Sequence, residues 1–125
     1  MTIVRVKRLK ESAMKIVNDL VFMNSNSEFR ETWELKWIDF WGNVYRQGEY
    51  TQTHEHVPST FSFVYFLKTK WYHSPLVFTY SGKKIRPKGG RYVLFPSHIM
   101  HHVPIHRFKE TRITLSGNII LKEEI

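Results

Sequence analysis

Apolar residues recur at two different periods along this chain of 125 residues, and the change of period divides it. Leu9, Ala13, Ile16, Val17, Leu20 and Val21 are spaced by three and four, which predicts a helix over roughly 9–23 with one apolar face. The run Asn24-Ser25-Asn26-Ser27 ends it. Ahead of it, residues 2–6 alternate loosely and read as a first edge strand. From Thr32 onward period two takes over: Trp33, Leu35 and Trp37 alternate with Glu34 and Lys36, the mark of a half-buried strand, and a second strand follows a short break at 41–45. Further strands are predicted at 50–57, 61–67, 76–80, around Ile85, and at 92–95, 100–103 and 112–121. Gly48-Glu49, Pro58-Ser59, 81–84 and 87–90 supply the turns between them. Eight or nine short strands at this spacing indicate a β-sandwich or barrel, mainly β, with one N-terminal helix packed on the outside. At this length we expect one domain over 1–125. Trp33 and Trp37, on an edge strand, would form an interface if the helix left them uncovered.

Composition narrows the chemistry. There are 19 Lys and Arg against 11 Asp and Glu, a net +8, so acidic partners are favoured and nucleic acid is a possible one. No cysteine is present, which excludes a disulfide framework, a thiolate zinc site and a cysteine nucleophile. No apolar run reaches the roughly 20 residues of a membrane span, and the expected location is the cytoplasm.

The candidate chemistry lies in histidines. Two at i and i+2 of a strand share a face, so His54 and His56 stand side by side in Gly48-Glu49-Tyr50-Thr51-Gln52-Thr53-His54-Glu55-His56. A third ligand is available in the second His-bearing stretch, which follows Pro96-Ser97. His101 and His102 point to opposite faces of an extended segment, and His101 is the one we assign. Three imidazoles leave positions open on a transition metal for water, O₂ or substrate. His73, His98 and His106 are expected at the surface, and Glu55, between the paired histidines, points away from them.

The order of short motifs carries more. Gly48, five residues, His54-x-His56, then Gly90, five residues, Pro96 and His101, is similar to the two cupin motifs. Ser59-Thr60-Phe61 stands where the cupin glutamate belongs, His98 where its second-motif glycine belongs, and Ile105 where its asparagine belongs. The chain more closely resembles small phage and bacterial oxygenases dependent on 2-oxoglutarate and Fe(II). The residues concerned are His54-Glu55-His56-Val57-Pro58-Ser59, Ser62-Phe63-Val64-Tyr65-Phe66, Pro75-Leu76-Val77-Phe78, Leu94-Phe95-Pro96-Ser97 with His101, and Arg112-Ile113-Thr114 with Asn118.

That resemblance covers about 41–118 and implies a double-stranded β-helix, a jelly-roll or cupin-like barrel, with Fe(II) on His54, His56 and His101. It implies that Arg112 clamps the distal carboxylate of the cosubstrate 2-oxoglutarate, with Thr114 as a hydroxyl partner on the same strand face. A guanidinium fork suits that task, and an arginine beginning an apolar strand needs a paired anion. Asn43, Tyr45 and Tyr65 occupy positions that line the cosubstrate pocket in this fold; core packing or a hydrogen bond at the barrel rim is the other reading of each. Phe61, Phe63, Phe78 and Phe95 would complete the wall, and the loops 68–74, 81–88 and 104–109 would surround the mouth. His56 stands where the broader superfamily has a carboxylate, which makes the ligand set neutral. The implied activity is Fe(II)/2-oxoglutarate-dependent dioxygenation, with O₂ and an unidentified substrate. Two alternatives accompany it: a cupin-type metalloenzyme that does not use 2-oxoglutarate, and a metal-bound jelly-roll binding protein.

Overall fold

A computed structural model describes residues 3–123. The first helix, α1, spans Ile3–Phe22. Val6 lies on the same stripe as Leu9 and Ala13, so helical periodicity reaches back through residues 3–6, and the edge strand expected there is helix instead; residue 2 lies outside the described residues. Ala13 and Val17 are fully buried. The Asn-Ser run that stops α1 also starts a short second helix, α2 (Ser27–Thr32), which the sequence reading did not include. Asn26 caps it by accepting a hydrogen bond from the Phe29 N–H, and Arg30 turns back to donate to the Phe22 carbonyl that α1 leaves open.

Eight strands follow among the described residues: β1 (Trp33–Tyr45), β2 (Thr51–His54), β3 (Phe61–Lys68), β4 (Leu76–Phe78), β5 (Lys84–Ile85), β6 (Tyr92–Pro96), β7 (His101–Val103) and β8 (Arg112–Glu123). They form two antiparallel four-stranded sheets, β1-β8-β3-β6 and β2-β7-β4-β5, which face each other as a jelly roll. The helix α1 covers the outer face of the first sheet, where Ser12 bonds the Tyr92 hydroxyl and Lys10 lies over the rings of Trp37 and Phe40. Trp37 is thereby covered, and Trp33 stacks on Phe29.

The two strands expected at 33–37 and 41–45 are one strand with a bulge. Trp37 pairs with Ile119 and Asp39 with Asn118, leaving Ile38 as the extra residue. The bulge resets the alternation. Trp37 and Phe40 both pack outward against Phe63, while Trp41, Asn43 and Tyr45 all face the cavity between the sheets. Gly117 permits that outer packing, because a Cβ there would stand 2.7 Å from Trp37 and 2.8 Å from Phe40. Between the sheets, Tyr45, Phe66, Leu76, Phe95 and Val103 form the core. No helix among the described residues is long and apolar enough to cross a membrane.

Candidate metal centre

His54 is the last residue of β2 and pairs with His101, the first of β7. His56 lies beyond the strand, which is shorter than the predicted 50–57; its backbone N–H donates to the Ser97 carbonyl at 2.9 Å, and this bond holds it beside the other two. One ring nitrogen from each of the three histidines falls within 4.8 Å of the others. The Nε2 atoms of His56 and His101 are 3.2 Å apart. Two nitrogens each about 2.1 Å from one ion stand about 3 to 3.4 Å apart at tetrahedral or octahedral angles, so the His56–His101 spacing fits a shared metal with His54 beside it.

The tautomers fit as well. His54 Nδ1 donates to the Gln52 carbonyl at 2.8 Å and His101 Nδ1 to the Ile99 carbonyl at 2.9 Å. Each bond places the proton on Nδ1 and leaves Nε2 as a lone pair, and such second partners fix the orientation of ligating imidazoles. Burial pushes the His101 pKa down to about 4, with the neighbouring histidines adding to the effect and the Ile99 bond opposing it. Burial and His54 lower that of His56, against the opposing charges of Asp39 and Glu55. Both rings are therefore neutral at pH 7, the form that binds metal.

The triad opens into a cavity of about 300 Å³ that Arg112 also lines. Arg112 is 1% exposed. Its Nε donates to the Ser74 carbonyl at 2.9 Å, and its guanidinium lies 4.7 Å from the Tyr45 ring centre. Nη1 has no hydrogen-bond partner. Burial lowers the Arg112 pKa, but a guanidinium remains charged, so the cavity contains an unsatisfied cationic donor. Thr114 and Asn43 face the same space, with Asn43 donating to Ser116 Oγ at 2.7 Å and to Thr114 Oγ1 at 3.3 Å while accepting from the Trp41 indole. Tyr45 also lines the cavity, its hydroxyl paired with Thr51. Tyr65 is not among the lining residues; it is one residue out of phase with Ser62, Val64 and Phe66. Phe95 contributes to the wall, and Phe63 borders it while its ring packs outward; Phe61 and Phe78 do not line it.

Three features were not legible in the sequence. The first is a buried polar chain under the metal end: Ser97 Oγ meets Ser62 Oγ at 2.9 Å, Ser62 donates to Asn118 Oδ1 at 2.7 Å, and Asn118 donates to Asp39 Oδ1 at 2.9 Å. Three strands and the turn after β6 supply these residues, and their separation in sequence hides the contact. The second is a correction. His73 and His106, expected at the surface, are 1% and 0% exposed, because loops 68–74 and 104–110 fold over the Arg112 end of the barrel. The third follows from it. Those two loops therefore do not surround the metal mouth, and the 81–88 loop expected there contributes no residue to the cavity wall either; Thr79, just before it, meets Thr53 and His102.

No protein-family model matches the sequence, and no curated protein matches it significantly. Solved structures do resemble it. A 2OG-Fe(II) oxygenase family oxidoreductase from Burkholderia pseudomallei matches 86% of this chain with a TM-score of 0.69 at 15% identity. The viral collagen prolyl hydroxylase of Paramecium Bursaria Chlorella virus-1 matches 95% with a TM-score of 0.69 at 14% identity. A cupin domain from Bordetella pertussis matches 70% with a TM-score of 0.51 at 17% identity. The chain spans 51% of the first of these, 68% of the second and 93% of the third. At these identities the likeness establishes the jelly-roll fold.

Proposed function

We propose that the chain is an Fe(II)- and 2-oxoglutarate-dependent dioxygenase. The observation that carries this reading is the buried guanidinium of Arg112, with Nη1 unpartnered, lining the same cavity as the three converging imidazoles. His54, His56 and His101 would hold the metal, which supplies O₂ activation and the oxidation of a C–H bond when bound. Arg112 would bind the distal carboxylate of 2-oxoglutarate in two-point geometry, with Thr114 and Asn43 beside it to orient the dianion. Three neutral ligands leave the metal's full charge uncompensated, and a chelating dianion offsets it. Phe95, Leu76 and Val103 keep that end of the cavity apolar, which strengthens each polar contact inside it.

The test is anaerobic addition of Fe(II) and then 2-oxoglutarate, with the weak visible charge-transfer band of a chelated keto acid as readout. We expect the band in the wild-type protein and its loss in Arg112→Ala, with bound iron unchanged. Wild-type affinity for 2-oxoglutarate in Arg112→Ala would refute the clamp. The neutral ligand set favours a second reading, a cupin-type metalloenzyme whose substrate occupies the open metal positions directly. Iron binding and O₂ consumption with no keto-acid band would select it.

A further inference from the structure

The loops that close the barrel at the Arg112 end carry an exposed aromatic cluster whose rings meet edge to face. Trp71 is 76% exposed, and Tyr72 and Phe108 are each 37% exposed. The ring centres of Trp71 and Tyr72 are 5.6 Å apart and those of Tyr72 and Phe108 4.7 Å. Large rings are ordinarily buried, so three contiguous exposed ones mark a contact surface. The cluster is also held in place from beneath: the Tyr72 hydroxyl donates to Glu110, and His73 packs against both Tyr72 and Phe108.

Cations flank these rings. The segments 68–72 and 107–110 contain Lys68, Lys70, Arg107 and Lys109, all exposed, and a single carboxylate, Glu110, which is occupied by Tyr72 and His73. Arg91 adjoins Lys68 because its carbonyl and the Gly90 N–H both bond the Phe66 backbone. Beside the cluster, Lys68, Thr69, Lys70 and His73 line a cavity of about 270 Å³ together with Glu110, whose carboxylate is engaged by Tyr72 and His73, and the Thr69 hydroxyl has no hydrogen-bond partner.

We propose that this face binds single-stranded nucleic acid, with bases stacking on Trp71, Tyr72 and Phe108 and phosphates running along Lys68, Lys70, Arg107 and Lys109. Cations alone would suit any acidic partner. Exposed rings interleaved with them select one whose flat faces are accessible, which a single strand offers and a duplex hides. Ring stacking and phosphate contacts do not distinguish the two sugars, so DNA and RNA should bind alike. The proposal is independent of the chemistry in the cavity.

Fluorescence anisotropy with labelled oligo(dT) and oligo(rU) 15-mers, on the intact chain over a salt series, tests it. We expect both oligomers to bind within about threefold of each other, and a 15-bp duplex more weakly. Trp71→Ala should weaken binding about tenfold. Lys70→Glu/Lys109→Glu should lower the slope of log K against log salt by roughly 1.4, from about 0.7 per single-strand phosphate contact. Lys83→Glu/Lys84→Glu, equal in charge change but at the other end of the barrel, should leave that slope as in wild type. Wild-type binding by Trp71→Ala, tighter binding of the duplex, equal loss in the Lys83/Lys84 variant, or full competition by oligoglutamate of matched charge would each overturn the proposal.

Discussion

The molecule contains two clusters of histidines with similar ring spacing and opposite chemistry. His54 and His56 have ring centres 4.7 Å apart, and so do His73 and His106. In the first cluster the outer nitrogens of His54 and His101 are tied to backbone carbonyls, so that lone pairs converge on one point. In the second, three of the four ring nitrogens are taken up by the protein, and the fourth, His106 Nδ1, is buried facing no partner. His73 Nδ1 accepts from the Lys70 N–H and its Nε2 donates to Glu110, while His106 Nε2 donates to the Glu110 carbonyl at 2.6 Å. What separates a metal site from a pair of struts is convergence: free nitrogens of three rings meet in the first cluster, whereas in the second only one is free and both nitrogens of its neighbour are occupied.

The largest effect that would sharpen this contrast is in stability. His106→Ala removes a fully buried ring and leaves the Glu110 carbonyl without its donor, at a cost of about 2–4 kcal/mol, and should leave metal stoichiometry unchanged. Denaturant unfolding paired with metal analysis checks both halves. Loss of metal in this variant would break the contrast.

Acid titration separates the clusters differently. An unfolded histidine titrates near 6.5, whereas in the fold His101 resists protonation until about pH 4. Above pH 6.5 both states are neutral and stability is complete; below it the unfolded chain takes up the proton first, and stability falls until about pH 4. For His101 this loss is on the order of 3 kcal/mol. Burial lowers the His73 pKa too, against the pull of Glu110, so the second cluster adds to the loss in the same direction. Added metal should protect only the first cluster. Unfolding curves between pH 7 and 4, with and without Co(II), should show a metal-dependent stabilisation that shrinks as pH falls.

The smallest effect is at the rim of the second cluster. The Tyr72 hydroxyl is the main cause, ahead of its own backbone N–H and His73, holding the Glu110 carboxyl down at about 2. In Tyr72→Phe that pKa should rise toward the ordinary carboxylate range in an NMR titration, with the triad unaffected.

The alternation of Trp33, Leu35 and Trp37 and the spacing of Leu9, Ala13 and Val17 were enough to place the sheet and its covering helix, because period reports which face is buried. The motif order also brought out His54, His56, His101 and Arg112, which the fold gathers around one cavity. What escaped was what depends on a single displaced residue or on distant chain. The bulge at Ile38 puts Trp37 and Trp41 on opposite faces within one continuous strand, where the pattern alone reads as a break between two strands. The motif leaves Tyr65 open between pocket lining and packing elsewhere, and only its phase on β3 directs it away from the cavity. His73 and His106 could not be told from surface histidines, because Glu110 reaches His73 from 37 residues along the chain.

The most direct test of the contrast is anaerobic Fe(II) equilibrium dialysis of the wild-type protein, His101→Ala and His73→Gln. The account predicts one iron per chain in the wild type and in His73→Gln, and at least a hundredfold weaker binding in His101→Ala. Wild-type affinity in His101→Ala, or loss of iron in His73→Gln, would contradict it.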